Sequence, residues 1–198
     1  MWGFKRFKIR RLTKKIKNLQ LARVHNQPSE ESLKKEIAFY HKLAEIYGSF
    51  CHSKRFPFAH EMVLECYRAS STIDDPVAQY LLGKHLLEEA RFREDLQKNG
   101  VFANANNERC MKQRYEEGLA YILAAEKLNH IEAMRLHGLC YINGWGIEAD
   151  KQTGFELIVE SIDKENSWDK VPHIFAKLGL NKNEFFSMLT QIKSRKSS

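Results

Sequence analysis

Proline is scarce in this chain, with four in 198 residues. So few helix breakers argue against a loop-rich β fold and favour long uninterrupted helices. Long apolar runs are missing as well. None approaches the ~20 residues needed to span a bilayer, and no apolar stretch of about 7–15 residues follows the N-terminus, as a secretory signal requires. The four cysteines, Cys51, Cys66, Cys110 and Cys140, form no CxxC pair and no Cys/His cluster with zinc spacing. Each sits in or beside an apolar helix face, which reads as free, mostly buried thiols in a reducing compartment. The expectation is a cytoplasmic protein that uses no metal or other cofactor and acts on no small-molecule substrate. Acids are absent from the first 23 residues, which hold nine cations: Lys5, Arg6, Lys8, Arg10, Arg11, Lys14, Lys15, Lys17 and Arg23. The whole chain has a formal charge of +7, so the residues after this stretch sum to −2. The basicity belongs to an N-terminal arm rather than to the body.

Hydrophobic residues make up 43% of the chain, enough for a real core, and they recur with helical spacing. In residues 1–24, Trp2, Ile9 and Ile16 fall seven apart, with Leu12 and Leu19 at the intervening position, as in an a/d seam. Phe4 and Phe7 widen that apolar side. Pro28 breaks the pattern, and Ser29 caps a new helix whose first turn carries Glu30 and Glu31, where the dipole favours acids. That helix runs to about Tyr47, with Gly48 as its stop. Further helices are predicted over about 58–71, from Pro76 (capped by Asp75) to before Asn99-Gly100, from near Asn107 to Asn129, over 131–141, 151–162 and 168–178, and over 182–192. Gly179 and Asn181 lie between the last two as stop and cap. The organisation is a basic amphipathic arm (1–28), a helical domain (29–193) and a disordered tail (194–198).

A spacing pattern repeats within the helical domain. Starting from Ala133, Gly138 follows five later, Tyr141 eight, Gly144 and Gly146 eleven and thirteen, Ile147 fourteen, Asp150 seventeen and Gly154 twenty-one. Small residues let paired helices approach closely, the turn glycines permit φ > 0, Ile147 plugs the turn into the core, and Asp150 caps the next helix. An echo starts at Ala78, with Gln79, Tyr80, Leu82 and Gly83, and continues at Gly118, Tyr121, Ala125 and Asn129-His130. Upstream, Val63, Cys66, Tyr67 and Ser70 stand where another unit would end. Ala133 to Gly154 spans 21 residues and Ala78 to Gly118 spans 40, so the first unit carries 19 extra residues. These read as both helices lengthened into a spur (91–114), with apolar Val101 and Phe102 at its tip.

The pattern over about 63–162 resembles the Sel-one-like repeat, a relative of the tetratricopeptide repeat, with His137, Gly154 and Ser161 as departures from its usual residues. The resemblance implies an all-α fold: a right-handed α/α superhelix, or solenoid, of helix-turn-helix repeats, with the lengthened hairpin and a C-terminal cap. It also implies a non-catalytic protein–protein interaction adaptor or scaffold subunit, working through the concave repeat face and the spur. Members of this family occur in secretion, signalling and degradation assemblies. Candidate contact residues are Lys84, His85, Glu88, Val101, Phe102, Arg135, Asn143 and Trp145.

Constellations for chemistry are not recognisable. His60-Glu61 has no second zinc-protease histidine, Gly144-Trp145-Gly146 follows no strand, Asp74-Asp75 reads as a turn and cap, and His85, His130 and His137 are scattered over repeat helices. The arm is the segment with a signal outside the repeat. Its residues Trp2, Phe4, Lys5, Arg6, Phe7, Lys8, Arg10, Arg11, Lys14, Lys15 and Lys17 suit packing on a protein partner, an anionic membrane at the inner face, or nucleic-acid phosphates. A basic-arm-led tether is therefore one alternative function, and an immunity or inhibitor protein that plugs a toxin is another.

Overall fold

A computed structural model describes residues 2–54, 56–180 and 183–196. Every regular element among them is helical: α1 (Trp2–His25), α2 (Glu30–Gly48), α3 (Ala59–Ser71), α4 (Pro76–Lys98), α5 (Ala105–Lys127), α6 (Ile131–Asn143), α7 (Lys151–Glu165), a 3₁₀ turn (Trp168–Lys170), α8 (Val171–Leu178) and α9 (Asn183–Lys196). The chain divides into two compact units, residues 1–82 and 83–198, with the boundary inside α4. Asn181 and Lys182, a cap and a helix start by sequence, and the tail residues Ser197 and Ser198 lie outside the described residues. Ser194–Lys196, assigned to the tail by sequence, continue α9.

Local chemistry sets the helix ends. Ser29 accepts from the Ser32 amide at 3.2 Å. The Asp75 Oδ1 accepts from the Val77 and Ala78 amides at 3.1 and 3.3 Å, ahead of Pro76 at the first helical position. Asp150 accepts from the Gln152 and Thr153 amides. Gly144, Gly146 and Gly179 take left-handed φ of 71°, 72° and 73°. Two ends differ from the sequence reading. Gly48 remains helical and Ser49, in right-handed geometry, is the cap residue of α2. The start of α5 is Ala105, capped by Asn104, whereas Asn107 is buried and bonded inside the hairpin.

In the first unit, α2 and α3 pack around Tyr40, Leu43, Ala44, Tyr47 and Cys66. In the second, α4 meets α5 at a glycine pair and α6 meets α7 at another. A Cβ on Gly83 would stand 2.8 Å from the Gly118 carbonyl oxygen, and one on Gly138 would stand 2.5 Å from that of Gly154. Gly83 stands five residues after Ala78 and Gly138 five after Ala133, and each lies at a close helix crossing. The lengthened α4–α5 hairpin is antiparallel and zipped by polar contacts along its length. Arg114 bonds Glu89 at 3.2 Å, Tyr115 donates to Glu94 at 2.6 Å, and Asn107 donates to Gln97 at 3.0 Å. Beyond α7, Phe155 meets Phe175 edge-on with centroids 5.6 Å apart and stacks on Phe185 at 5.8 Å, which fastens α8 and α9 as the closing layer of this unit.

The crossings make a direct prediction. Gly138→Ala forces backbone apart and should destabilise the protein by about 1–3 kcal/mol. Gly48→Ala meets nothing nearer than the Val63 Cγ2 at 4.0 Å. It should be neutral or stabilising by up to about 1 kcal/mol through helix propensity. Urea unfolding of both variants checks the contrast, and equal effects would contradict it.

Candidate functional site

The apolar seam of α1 faces inward. Ile16 is 5% exposed in the α2–α3 core, and Ile9 and Leu12 pack beside it. Farther along α1 the contact turns polar: Gln20 donates to the Tyr40 hydroxyl at 2.8 Å, and the Arg23 guanidinium stands 3.7 Å from the buried Glu36 carboxylate. The arm is thus a docked helix of the first unit. Arg23, one of its nine cations, serves that docking. The rest of the basic set stays at the surface: Arg6, Lys8, Arg10, Arg11, Lys14, Lys15 and Lys17 are exposed, and Lys5 is half-buried. Phe4 and Phe7 stay 65% and 63% exposed. The Trp2 side chain lies outside the described residues.

Between α1 and α2 an open groove of about 770 Å³ runs along the docked pair. One wall is Phe4, Lys5, Lys8, Arg11, Leu12 and Lys15, and the other is Phe39, Lys42, Glu45, Ile46 and Ser49. Five cations face one acid across an apolar floor. Lysines lie over the aromatic faces: Lys8 over Phe4 at 4.6 Å, Lys15 over Phe39 at 5.1 Å, and Lys5 over Phe50 at 4.6 Å. Each such contact is worth about 0.5–1 kcal/mol at an exposed site, enough to orient a flexible stem. Lys5 also donates to the Ser49 hydroxyl at 2.8 Å, tying the N-terminal end of α1 to the end of α2. Lys8, Arg11, Lys15 and Lys42 have no carboxylate partner among the described residues, so their charge is uncompensated. The α2 wall was not singled out from sequence. Its signal is a second stripe, residues 39, 42, 46 and 49, beside the buried stripe 36, 40, 43 and 47.

The contact residues expected on the repeat helices scatter. Lys84 and Glu88 are exposed and pair with each other at 3.9 Å, and His85 is half-buried beside them. Asn143 is exposed, its amide turned back onto the Leu139 carbonyl at 2.8 Å. Arg135 is not an exposed contact residue. It is 8% exposed, its Nε donates to Ser161 at 3.1 Å, and it pairs with Glu165, so it joins α6 to α7. Trp145 is half-buried under Arg91, whose guanidinium carbon lies 4.2 Å from the ring centroid. A Cβ on Gly146 would stand 2.9 Å from the Tyr115 carbonyl oxygen, so this turn is pressed onto α5. At the hairpin tip, Val101 donates to the Leu96 carbonyl at 2.8 Å and Gly100 to that of Gln97 at 3.0 Å, a helix-ending pair of bonds, while the Val101 side chain stays 42% exposed. Phe102 is 65% exposed at a left-handed φ of 55°.

One cluster escaped the sequence reading. Asp75 Oδ2 receives both His41 Nε2 and Ser70 Oγ at 2.6 Å while Oδ1 caps α4. The Ser70 hydroxyl donates its hydrogen bond to the carboxylate, and the His41 Nε2 bonds that same oxygen rather than Ser70. The arrangement anchors α2 to the α3–α4 turn and does not resemble an activated nucleophile. The Asp75 hydrogen bond, and then its charge, raise the His41 pKa against the opposing effect of burial. Burial would raise Asp75, but the bonds from His41 and Ser70 outweigh it and hold the carboxyl below its usual range. Elsewhere burial pushes the Cys66 thiol up to about 11 and the Cys140 thiol to about 12, leaving both protonated and inert at neutral pH.

Two measurements follow. Ile16→Ala should cost about 2–4 kcal/mol as a buried truncation, while Lys14→Glu leaves the midpoint nearly unchanged. Urea unfolding of each variant tests this. The His41–Asp75 pair has the linkage of a raised imidazole and a lowered carboxyl. Its contribution should be full between about pH 4 and 6.5, the unfolded-state values. It should fade as pH rises through the folded His41 pKa, and at the acid end as pH falls through that of Asp75. The stability gap between wild type and His41→Gln should therefore narrow from pH 6 to pH 9; a constant gap would contradict the pairing.

No family model matches the chain, and no curated protein matches it.

Proposed function

We propose that this chain is a non-catalytic protein–protein interaction adaptor, a scaffold subunit of a larger assembly, whose helix pairs form a Sel-one-like right-handed solenoid. The two glycine crossings, in the register of the sequence repeat, support the repeat reading. The observation that carries the binding reading is the open groove between α1 and α2, where uncompensated cations rim an apolar floor. Surfaces that combine apolar anchors with charge of one sign recognise complementary partners and speed their encounter.

The outer face of α1 favours a second reading, a peripheral tether to an anionic membrane or to nucleic acid. Arg6, Arg10, Lys14 and Lys17 are exposed there with Phe7. That reading is weaker for a membrane, because the apolar seam an interfacial helix would insert is spent on α2. A toxin-binding immunity protein is a special case of the adaptor, marked by a partner whose activity the chain suppresses.

Crosslinking of the full chain in its native cell, read by mass spectrometry, should return a defined protein partner. A recovered set equal to that of an unrelated protein of the same charge overturns the adaptor. In parallel, Arg10→Glu with Lys14→Glu and Lys17→Glu should leave partner capture intact. If that variant instead loses binding to RNA or to phosphatidylserine vesicles, and no protein partner is captured by wild type, the tether is the function.

A further inference from the structure

We infer that the groove between α1 and α2 is a docking site for an acidic amphipathic helix of a partner protein. The inference rests on the adaptor reading and names the class of partner. Its length fits. The α1 wall runs from Phe4 to Lys15 and the α2 wall from Phe39 to Ser49. At 1.5 Å per residue those walls span roughly 15–17 Å, about three helical turns. Its charge pattern fits too. Lys5, Lys8, Arg11 and Lys15 recur every three or four residues along α1, and Lys42 faces them from α2. An incoming helix with carboxylates at i, i+4 and i+7 would meet that row while its apolar stripe lies on Phe4, Leu12, Phe39 and Ile46. Glu45, the acid of the wall, gives a matching lysine or arginine on the partner one place to pair.

The other polyanions fit the groove less well. Single-stranded nucleic acid stacks successive bases on open aromatic faces, and here Phe39, one of the two groove rings, is half-buried against the first unit's core with Lys15 over it. A lipid surface is broad and level, whereas these cations line the walls of a cleft. The partner helix would lie beside α1 and α2 as a third member, burying the Phe4 side chain that is now 65% exposed.

The test uses the full chain and a lactam-bridged helical peptide of about five turns, built from Leu on one stripe with Glu and Gln flanking it. Controls are the same composition in scrambled order, a Lys-for-Glu version, a single-stranded RNA and phosphatidylserine vesicles. Fluorescence anisotropy should show the acidic amphipathic helix bound at least tenfold more tightly than the scrambled peptide. That preference should fall at least tenfold in Lys8→Glu/Lys15→Glu, with the helical circular-dichroism signal and a single cooperative unfolding transition confirming that this variant is folded. Phe39→Ser should weaken the peptide while sparing any purely ionic binding. Equal affinity for ordered and scrambled peptides overturns the inference, as does binding unaffected by Lys8→Glu/Lys15→Glu. RNA or vesicle binding that exceeds peptide binding and depends on the same lysines also overturns it and assigns the groove to that polyanion. If the native partner is still captured by Lys8→Glu/Lys15→Glu, the groove loses this role while the adaptor reading stands.

Discussion

The docking of α1 onto α2 is the constraint on which the first unit's surface depends. Ile9, Leu12 and Ile16 supply its apolar side and the Arg23–Glu36 and Gln20–Tyr40 contacts its polar side. Burial of that seam orients every other residue of the helix. Lys8, Arg11 and Lys15 come to face α2 across a cleft, while Arg10, Lys14 and Lys17 face outward. An undocked arm would spread the same charges around a mobile helix with no concavity. The buried Glu36 carboxylate, 3.7 Å from the Arg23 guanidinium, places one charge contact between α2 and the C-terminal part of α1. The charge concentration also has a cost: five cations in one cleft repel each other, and apolar burial beneath them, lysine–aromatic contacts and the nearby Glu45 offset it.

In the second unit the organising feature is backbone proximity. Gly83 against Gly118 and Gly138 against Gly154 bring helices closer than any side chain at those positions would permit. Arg135 then crosses from α6 to Ser161 and Glu165, and the Gly144–Gly146 turn presses on Tyr115. The base of the α4–α5 hairpin buries Leu86, Leu87, Leu119 and Ile122, and its outer part adds ion pairs and side-chain hydrogen bonds. That outer part has the composition expected of an extension with water on several sides.

How far the structure was legible depended on the range of the interaction. Caps and turns are local, so Ser29, Asp75-Pro76, Asp150 and the two turn glycines place helix ends within a residue or two. The start of α5 was less legible because ANANN (103–107) offers several equivalent capping amides, and only packing selects Asn104 over Asn107. Arg135 resembled a surface cation because its partners lie 26 and 30 residues away. Trp145 resembled a free anchor for the same reason: Arg91, which covers it, belongs to a distant helix. The groove was half legible. The cations and phenylalanines of α1 stood out by density, whereas Phe39, Lys42 and Ile46 gained meaning only once α1 lay beside them.

That juxtaposition is the central claim, and amide hydrogen exchange of the intact chain tests it most directly. A docked α1 exchanges only through opening of the first unit. Amides around Ile9, Leu12, Ile16 and Leu19 should therefore be protected to about the same degree as those of α2 near Tyr40 and Leu43. Exchange of α1 at the rate of a free, fraying helix, with α2 still protected, would contradict it.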